Sequence, residues 1–97
     1  MVTFDTFCAS LAQAAPPSGL SQALQALWWA GKQDWDKSHN IAQDDKSEDG
    51  SWVHAYLHRV EGDLDNARYW YRRARQPEAT NAVEAEWSVI AAALLAA

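Results

Sequence analysis

The feature that most constrains the fold is the spacing of apolar residues, which recur every three or four positions between short runs of helix-breaking residues. Phe4, Phe7 and Leu11 show this spacing near the start of the chain, and Pro16 follows them. No segment between turn residues keeps the apolar–polar alternation that a half-buried strand requires. The pattern therefore predicts an all-α fold of about six helices. They are expected at about residues 3–14, 20–30, 35–43, 51–61 and 63–75, and from about residue 80 onwards.

Size and composition narrow the class of protein. A chain of 97 residues has room for one core, so residues 1–97 are taken as a single domain. Hydrophobic residues make up 48% of it, and six tryptophans supply enough buried area to offset the entropy of ordering the chain. The net charge of −5 argues against nucleic-acid binding, which depends on neutralising phosphates. With no basic leader, no long apolar run and only Cys8 as a thiol, the sequence predicts a cytoplasmic protein without a membrane partner.

A short internal repeat links the third and fifth predicted helices. Asp34-Trp35-Asp36-Lys37-Ser38 recurs 29 positions later as Asp63-Leu64-Asp65-Asn66-Ala67. Each copy places an acid at the start of a helix, where the helix dipole favours negative charge. In each copy a large apolar residue also precedes a small residue by three positions. A repeated helical hairpin cannot bury its own apolar face, so the repeat predicts hairpins that stack on one another.

Residues 62–74 resemble the second helix of a tetratricopeptide repeat. The match consists of a turn glycine, large and small packing positions on one helix face, and a later proline: Gly62, Leu64, Ala67, Tyr71, Ala74 and Pro77. The resemblance extends from about Ala23 to Pro77, with one well-matched unit and one degenerate unit. It implies stacked antiparallel hairpins in a right-handed superhelix, with a concave groove for a protein or peptide. It implies no chemistry and no cofactor.

The fourth predicted helix supplies the residues for such a groove. Trp52, Tyr56 and Arg59 lie on one mostly apolar arc of that helix. An exposed aromatic floor with one guanidinium would suit a carboxylate-bearing partner. The alternative is an internal ion pair between Arg59 and one of the acids, because an unpaired buried guanidinium is costly. The leading prediction is a non-enzymatic protein- or peptide-interaction module, with both explanations of Arg59 left open.

The other side of the same helix carries His54, His58 and Glu61. Histidines four residues apart can ligate one metal ion, with the carboxylate as a third ligand, and the same trio can perform acid–base catalysis. A solvated polar helix face gives this pattern as well, so the sequence assigns no metal, no cofactor and no catalytic residue. A small metal-binding protein or acid–base enzyme that uses this trio is the alternative function.

Two further segments predict contacts with other chains. Tyr69, Arg72 and Arg73 lie outside the packing arc of the fifth helix and would suit an acidic partner, although a solvated face with local ion pairs is the alternative. The C-terminal residues 91–97 are small and apolar, which allows close approach of a second copy. A homodimer through the last helix, or a purely self-associating structural domain, is therefore a third hypothesis.

Overall fold

The computed structural model describes residues 2–97, and every regular element in that range is an α-helix, which confirms the all-α prediction. The helices span the following residues: α1 Phe4–Ser10, α2 Gln22–Gly31, α3 Trp35–Asp44, α4 Glu48–Glu61, α5 Leu64–Ala74 and α6 Val83–Ala96. None of these helices is long and apolar enough to cross a membrane.

Three of the predicted helix bounds differ from the structure by three or four residues. Helix α6 begins at Val83 instead of near residue 80. Helix α1 ends at Ser10 instead of near residue 14, and beyond it the Lys32 ammonium donates hydrogen bonds to the carbonyls of Leu11 and Gln13 at 2.8 and 2.9 Å. Helix α4 begins at Glu48, inside the predicted charged loop. Its start is stabilised by the Ser47 hydroxyl, which accepts a hydrogen bond from the Gly50 backbone N–H.

The internal repeat corresponds to two equivalent helix starts. The carboxylates of Asp34 and Asp63 accept hydrogen bonds from the backbone N–H groups of Lys37 and Asn66, so each acid caps its helix. Helix α4 ends at Gly62, whose φ of 88° lies in the left-handed region that glycine adopts without strain. Because only two residues separate α4 from α5, the two helices fold back on each other.

Helix α4 lies at the centre of the molecule and packs against α2, α3, α5 and α6. On α5, the residues Ala67, Tyr71 and Ala74 are buried as the repeat resemblance implies, but Leu64 is 46% exposed. Helices α2 and α3 also pack closely together. The hairpin pairs are thus present, while the tetratricopeptide-like superhelix stays a prediction.

The first and last helices close the main core. The ring of Phe7 on α1 stacks on that of Trp87 on α6, with 5.6 Å between centroids. The indole N–H of Trp28 donates to the Ser10 hydroxyl at 2.9 Å, and the indole N–H of Trp87 donates to the Leu27 carbonyl, also at 2.9 Å. The two contacts of Trp87 hold α6 against α1 and α2, and α6 also packs against α4.

Candidate metal centre

The face of α4 that turns towards α6 carries a paired polar network. Arg59 Nη1 donates to Glu86 Oε1 at 2.8 Å, and Arg59 Nη2 donates to the Asn81 carbonyl. The second oxygen of Glu86 accepts a hydrogen bond from the Tyr71 hydroxyl at 2.5 Å. Since Glu86 is only 3% exposed, this is a buried network that joins α4, α5 and α6.

Of the two explanations for Arg59, the internal ion pair is therefore the one that the structure contains. Tyr56 lines a cavity of about 530 Å³ beside α6. Trp52 lines a different cavity of about 480 Å³, and Arg59 lines neither. A partner groove at Trp52, Tyr56 and Arg59 stays a prediction.

The two tyrosines beside this network stay protonated. Burial is the main cause that raises the pKa of Tyr56 to about 12, with Glu86 and Glu84 adding repulsion. Burial and the hydrogen bond to Glu86 also raise the pKa of Tyr71. The Tyr71 hydroxyl is thus a stable donor to the Glu86 carboxylate.

The opposite side of α4 brings together all three histidines of the chain. His54 and His58 lie on α4 and are only 4% and 5% exposed, and His39 joins them from α3. One ligating nitrogen from each ring lies within 4.8 Å of those of the other two. The alternative of a solvated polar face is therefore wrong for His54 and His58, because α3 and α5 pack over these side chains.

Two tryptophan rings hold the histidine rings in place. The His39 ring stacks on Trp35, with 4.7 Å between centroids and 9° between planes. The His54 ring stacks on Trp70 of α5, at 3.9 Å and 14°. The Trp35 indole N–H in turn donates to the Leu57 carbonyl of α4 at 2.8 Å. The imidazoles are thus oriented by packing from three helices.

Glu61 fixes the third imidazole. Its Oε1 lies 2.7 Å from His58 Nδ1. A carboxylate oxygen accepts hydrogen bonds, so this contact orients Nδ1 as the donor and leaves Nε2 on the opposite side of the ring. Glu61 was predicted as a third ligand beside His54 and His58, but it binds the nitrogen of His58 opposite to Nε2. Glu61 and Asp63 form a second group with His58, in which both acids are exposed.

Two nitrogens of the cluster have no partner. His58 Nε2 and His54 Nδ1 are buried and lack a hydrogen bond to any residue in the described range. A buried polar atom without a partner costs about 1–3 kcal/mol, so such atoms are rare in folded proteins. The Arg59 face has no such atom within the same range.

The electrostatics of the cluster favour neutral imidazoles at His54 and His39. Burial, followed by repulsion from His39 and His58, lowers the pKa of His54 to about 3. Burial and His58 also lower the pKa of His39, against the opposing attraction of Glu61 and Asp36. Neutral imidazole is the form that ligates metal ions, so neither ring has to lose a proton at neutral pH in order to bind.

Sequence reasoning missed His39 because this residue lies on a different helix from His54 and His58. The sequence contains one indication that His39 belongs to the cluster. The three histidines of the chain all fall on α3 and α4, which are consecutive helices, and His39 follows Trp35 by one helical turn.

The remaining predicted residues lie on the surface. Tyr69 is 44% exposed on α5, and Arg73 Nη1 donates to its hydroxyl at 3.2 Å, while Arg72 is exposed beside them. On α6, the apolar stripe of Ile90, Ala91 and Leu94 packs into the core. A homodimer through α6 stays a prediction.

Comparison of the chain with protein-family models, with curated proteins and with solved structures found no match. The function has to be argued from the geometry of the chain itself.

Proposed function

We propose that the protein binds a divalent transition-metal ion through His39, His54 and His58. The observation that supports this proposal is the pair of buried, unpartnered nitrogens, His54 Nδ1 and His58 Nε2, in a cluster that also contains His39. A metal ion coordinated by these rings would satisfy lone pairs that the fold otherwise buries at a cost.

Aromatic packing alone is the competing explanation. It accounts for the stacking of His39 on Trp35 and of His54 on Trp70. It does not account for the choice of histidine, because a phenylalanine ring would stack without burying polar atoms. It also gives no role to the Glu61 carboxylate, which sets the protonated nitrogen of His58. Metal ligands typically have such a hydrogen bond on the ring nitrogen away from the ion.

The donor set indicates the class of metal. Three imidazole nitrogens suit zinc, copper or nickel better than magnesium or calcium, which prefer oxygen ligands. Tetrahedral zinc with bonds of about 2.0–2.1 Å would place the nitrogens about 3.4 Å apart. One ligating nitrogen of each ring lies within 4.8 Å of the other two, so the rings would have to move closer together around a bound ion.

The direct test is zinc titration of chelator-treated protein by calorimetry, combined with chemical denaturation. We expect one zinc ion per chain. With free zinc at 100 times the dissociation constant, the free energy of unfolding should rise by about 2.7 kcal/mol. The substitutions His39→Ala, His54→Phe and His58→Phe should each abolish both effects.

The matched control is Asp63→Asn, which removes an acid from the second, exposed group. It should bind zinc as the wild type does. Absence of binding to the wild type, or equal binding by all three histidine variants, would contradict the proposal.

A second candidate is the interaction module predicted from the sequence, now placed on α5. Tyr69 is exposed beside Arg72 and Arg73, and neither arginine forms an ion pair within the described part of the chain. A fluorescent poly-glutamate peptide tests this surface. Arg72→Glu together with Arg73→Glu should remove its binding, while His54→Phe should not. For both candidate functions we propose a cytoplasmic location, which is the prediction from the sequence.

A further inference from the structure

We propose that a metal ion at the three-histidine site keeps one coordination position open for a small exogenous anion. This inference rests on the proposed metal site. It is supported by the number of protein ligands, by the charge of the donors and by the side from which solvent reaches the cluster.

The ligand count leaves the first coordination shell incomplete. Within residues 2–97, the group around His39, His54 and His58 contains no fourth histidine, cysteine, aspartate or glutamate atom. The Glu61 carboxylate already binds Nδ1 of His58. Structural zinc sites have four protein ligands, whereas sites with three leave the fourth position to water or another small ligand.

The charge of the donors favours an anion at that position. Three neutral imidazoles do not offset the two positive charges of the ion. Glu61 binds the His58 ring and, like Asp36, acts on His39 through space, but neither acid is one of the three ligands. In a buried site of low dielectric this excess positive charge is poorly screened, so it attracts an anionic ligand.

The three histidines differ in their access to solvent. His54 and His58 are buried, while His39 is partly exposed, so solvent reaches the cluster at His39. The Trp35 ring stacked on His39 and the Trp70 ring stacked on His54 flank the cluster. This arrangement favours a small linear anion, such as azide or cyanate, over a bulky one such as sulfate.

Cobalt substitution tests the open position separately from metal binding. Cobalt(II) adopts the geometry of zinc and has visible absorption bands that depend on its ligands. We expect chelator-treated protein to bind cobalt(II) with intense tetrahedral bands in chloride-free buffer. Azide should then shift those bands in a saturable one-to-one titration, and sulfate at the same concentration should leave them unchanged.

Each other outcome overturns a defined part of the argument. Cobalt bands that do not respond to azide would show a closed site, which overturns the open position but not the metal site. A protein that produces no cobalt bands would overturn both. An azide response of equal size in His39→Ala, or in buffer with cobalt alone, would mean that azide binds cobalt outside the histidine cluster, and would also overturn the inference.

Discussion

Helix α4 carries a buried polar cluster on each of two faces, and the two clusters differ in how they are satisfied. Towards α6, Arg59 and Tyr71 donate to the two oxygens of Glu86, and no buried polar atom of the described chain is left over on that face. Towards α3, His54 and His58 each keep one buried nitrogen without a partner. The first cluster is fully paired within the fold, whereas the second is not, and we propose that a metal ion completes it.

The difference is one of free energy as well as geometry. In a low-dielectric interior, a fully paired network offsets the desolvation of its members, and a partly paired one does not. Removing a member of the network should therefore destabilise the fold strongly. Substituting a histidine that has an unpartnered nitrogen should cost little stability and should instead abolish metal binding.

The largest expected effect is that of Glu86→Ala. It leaves the half-buried Arg59 guanidinium unpaired and removes the acceptor of Tyr71. Breaking one partner from a buried pair typically costs about 3–5 kcal/mol, and we expect the free energy of unfolding to fall by about that amount. Urea denaturation at neutral pH measures it.

The matched control is His54→Phe, which should change the unfolding free energy by less than about 1 kcal/mol in the absence of metal, because stacking on Trp70 is kept. Equal losses in Glu86→Ala and His54→Phe would remove the contrast between the two faces.

The sequence predicted the helices well because their signals are local. Apolar spacing and turn residues predicted six helices, and the repeated acids at Asp34 and Asp63 are the caps that the repeat implied. The contacts of Lys32 with the segment after α1 were not predictable, because Lys32 is distant from that segment in sequence.

The candidate site was only partly predictable for the same reason. The spacing of His54 and His58 on one helix identified a pair of candidate ligands. The third candidate depends on how α3 packs against α4, which puts His39 beside them. The ion-pair partner of Arg59 was likewise not predictable, because it depends on the packing of α6. Glu86 lies 27 positions away in the sequence and is one of many acids available for pairing. Both questions concern the partners of buried polar groups, and these partners are set by tertiary packing.

A smaller effect is expected from Glu61→Ala, which tests how the histidine cluster is oriented. Loss of a hydrogen bond to a metal-ligating histidine typically weakens metal binding 10- to 100-fold, or by about 1.4–2.7 kcal/mol. Calorimetric zinc titration should show this loss in Glu61→Ala. Glu61→Gln should lose less, since its amide oxygen still accepts from His58 Nδ1. In metal-free wild type, nitrogen NMR should show the proton of His58 on Nδ1. A proton on Nε2 would contradict the geometry even before metal is added.

The smallest effect concerns the response of the histidine cluster to acid. Because the pKa of His54 is lowered to about 3 in the folded chain, the unfolded chain binds more protons at this residue between pH 6.5 and pH 3. The stability that His54 contributes is complete above pH 6.5 and is lost as the pH falls towards 3. Between pH 6 and pH 5 the loss should be about 1 kcal/mol, measured by denaturation in the presence of a chelator.

His54→Phe isolates that acid response. Most carboxylates stay ionised between pH 6 and pH 5, so they contribute little to the slope. His39 remains in the variant, and its lowered pKa acts in the same direction. The difference in slope between wild type and His54→Phe is therefore the contribution of His54 itself. Equal slopes would mean that His54 takes up a proton as readily in the folded chain as in the unfolded one. Its ring would then be solvated, and the contrast with the paired network around Glu86 would no longer hold.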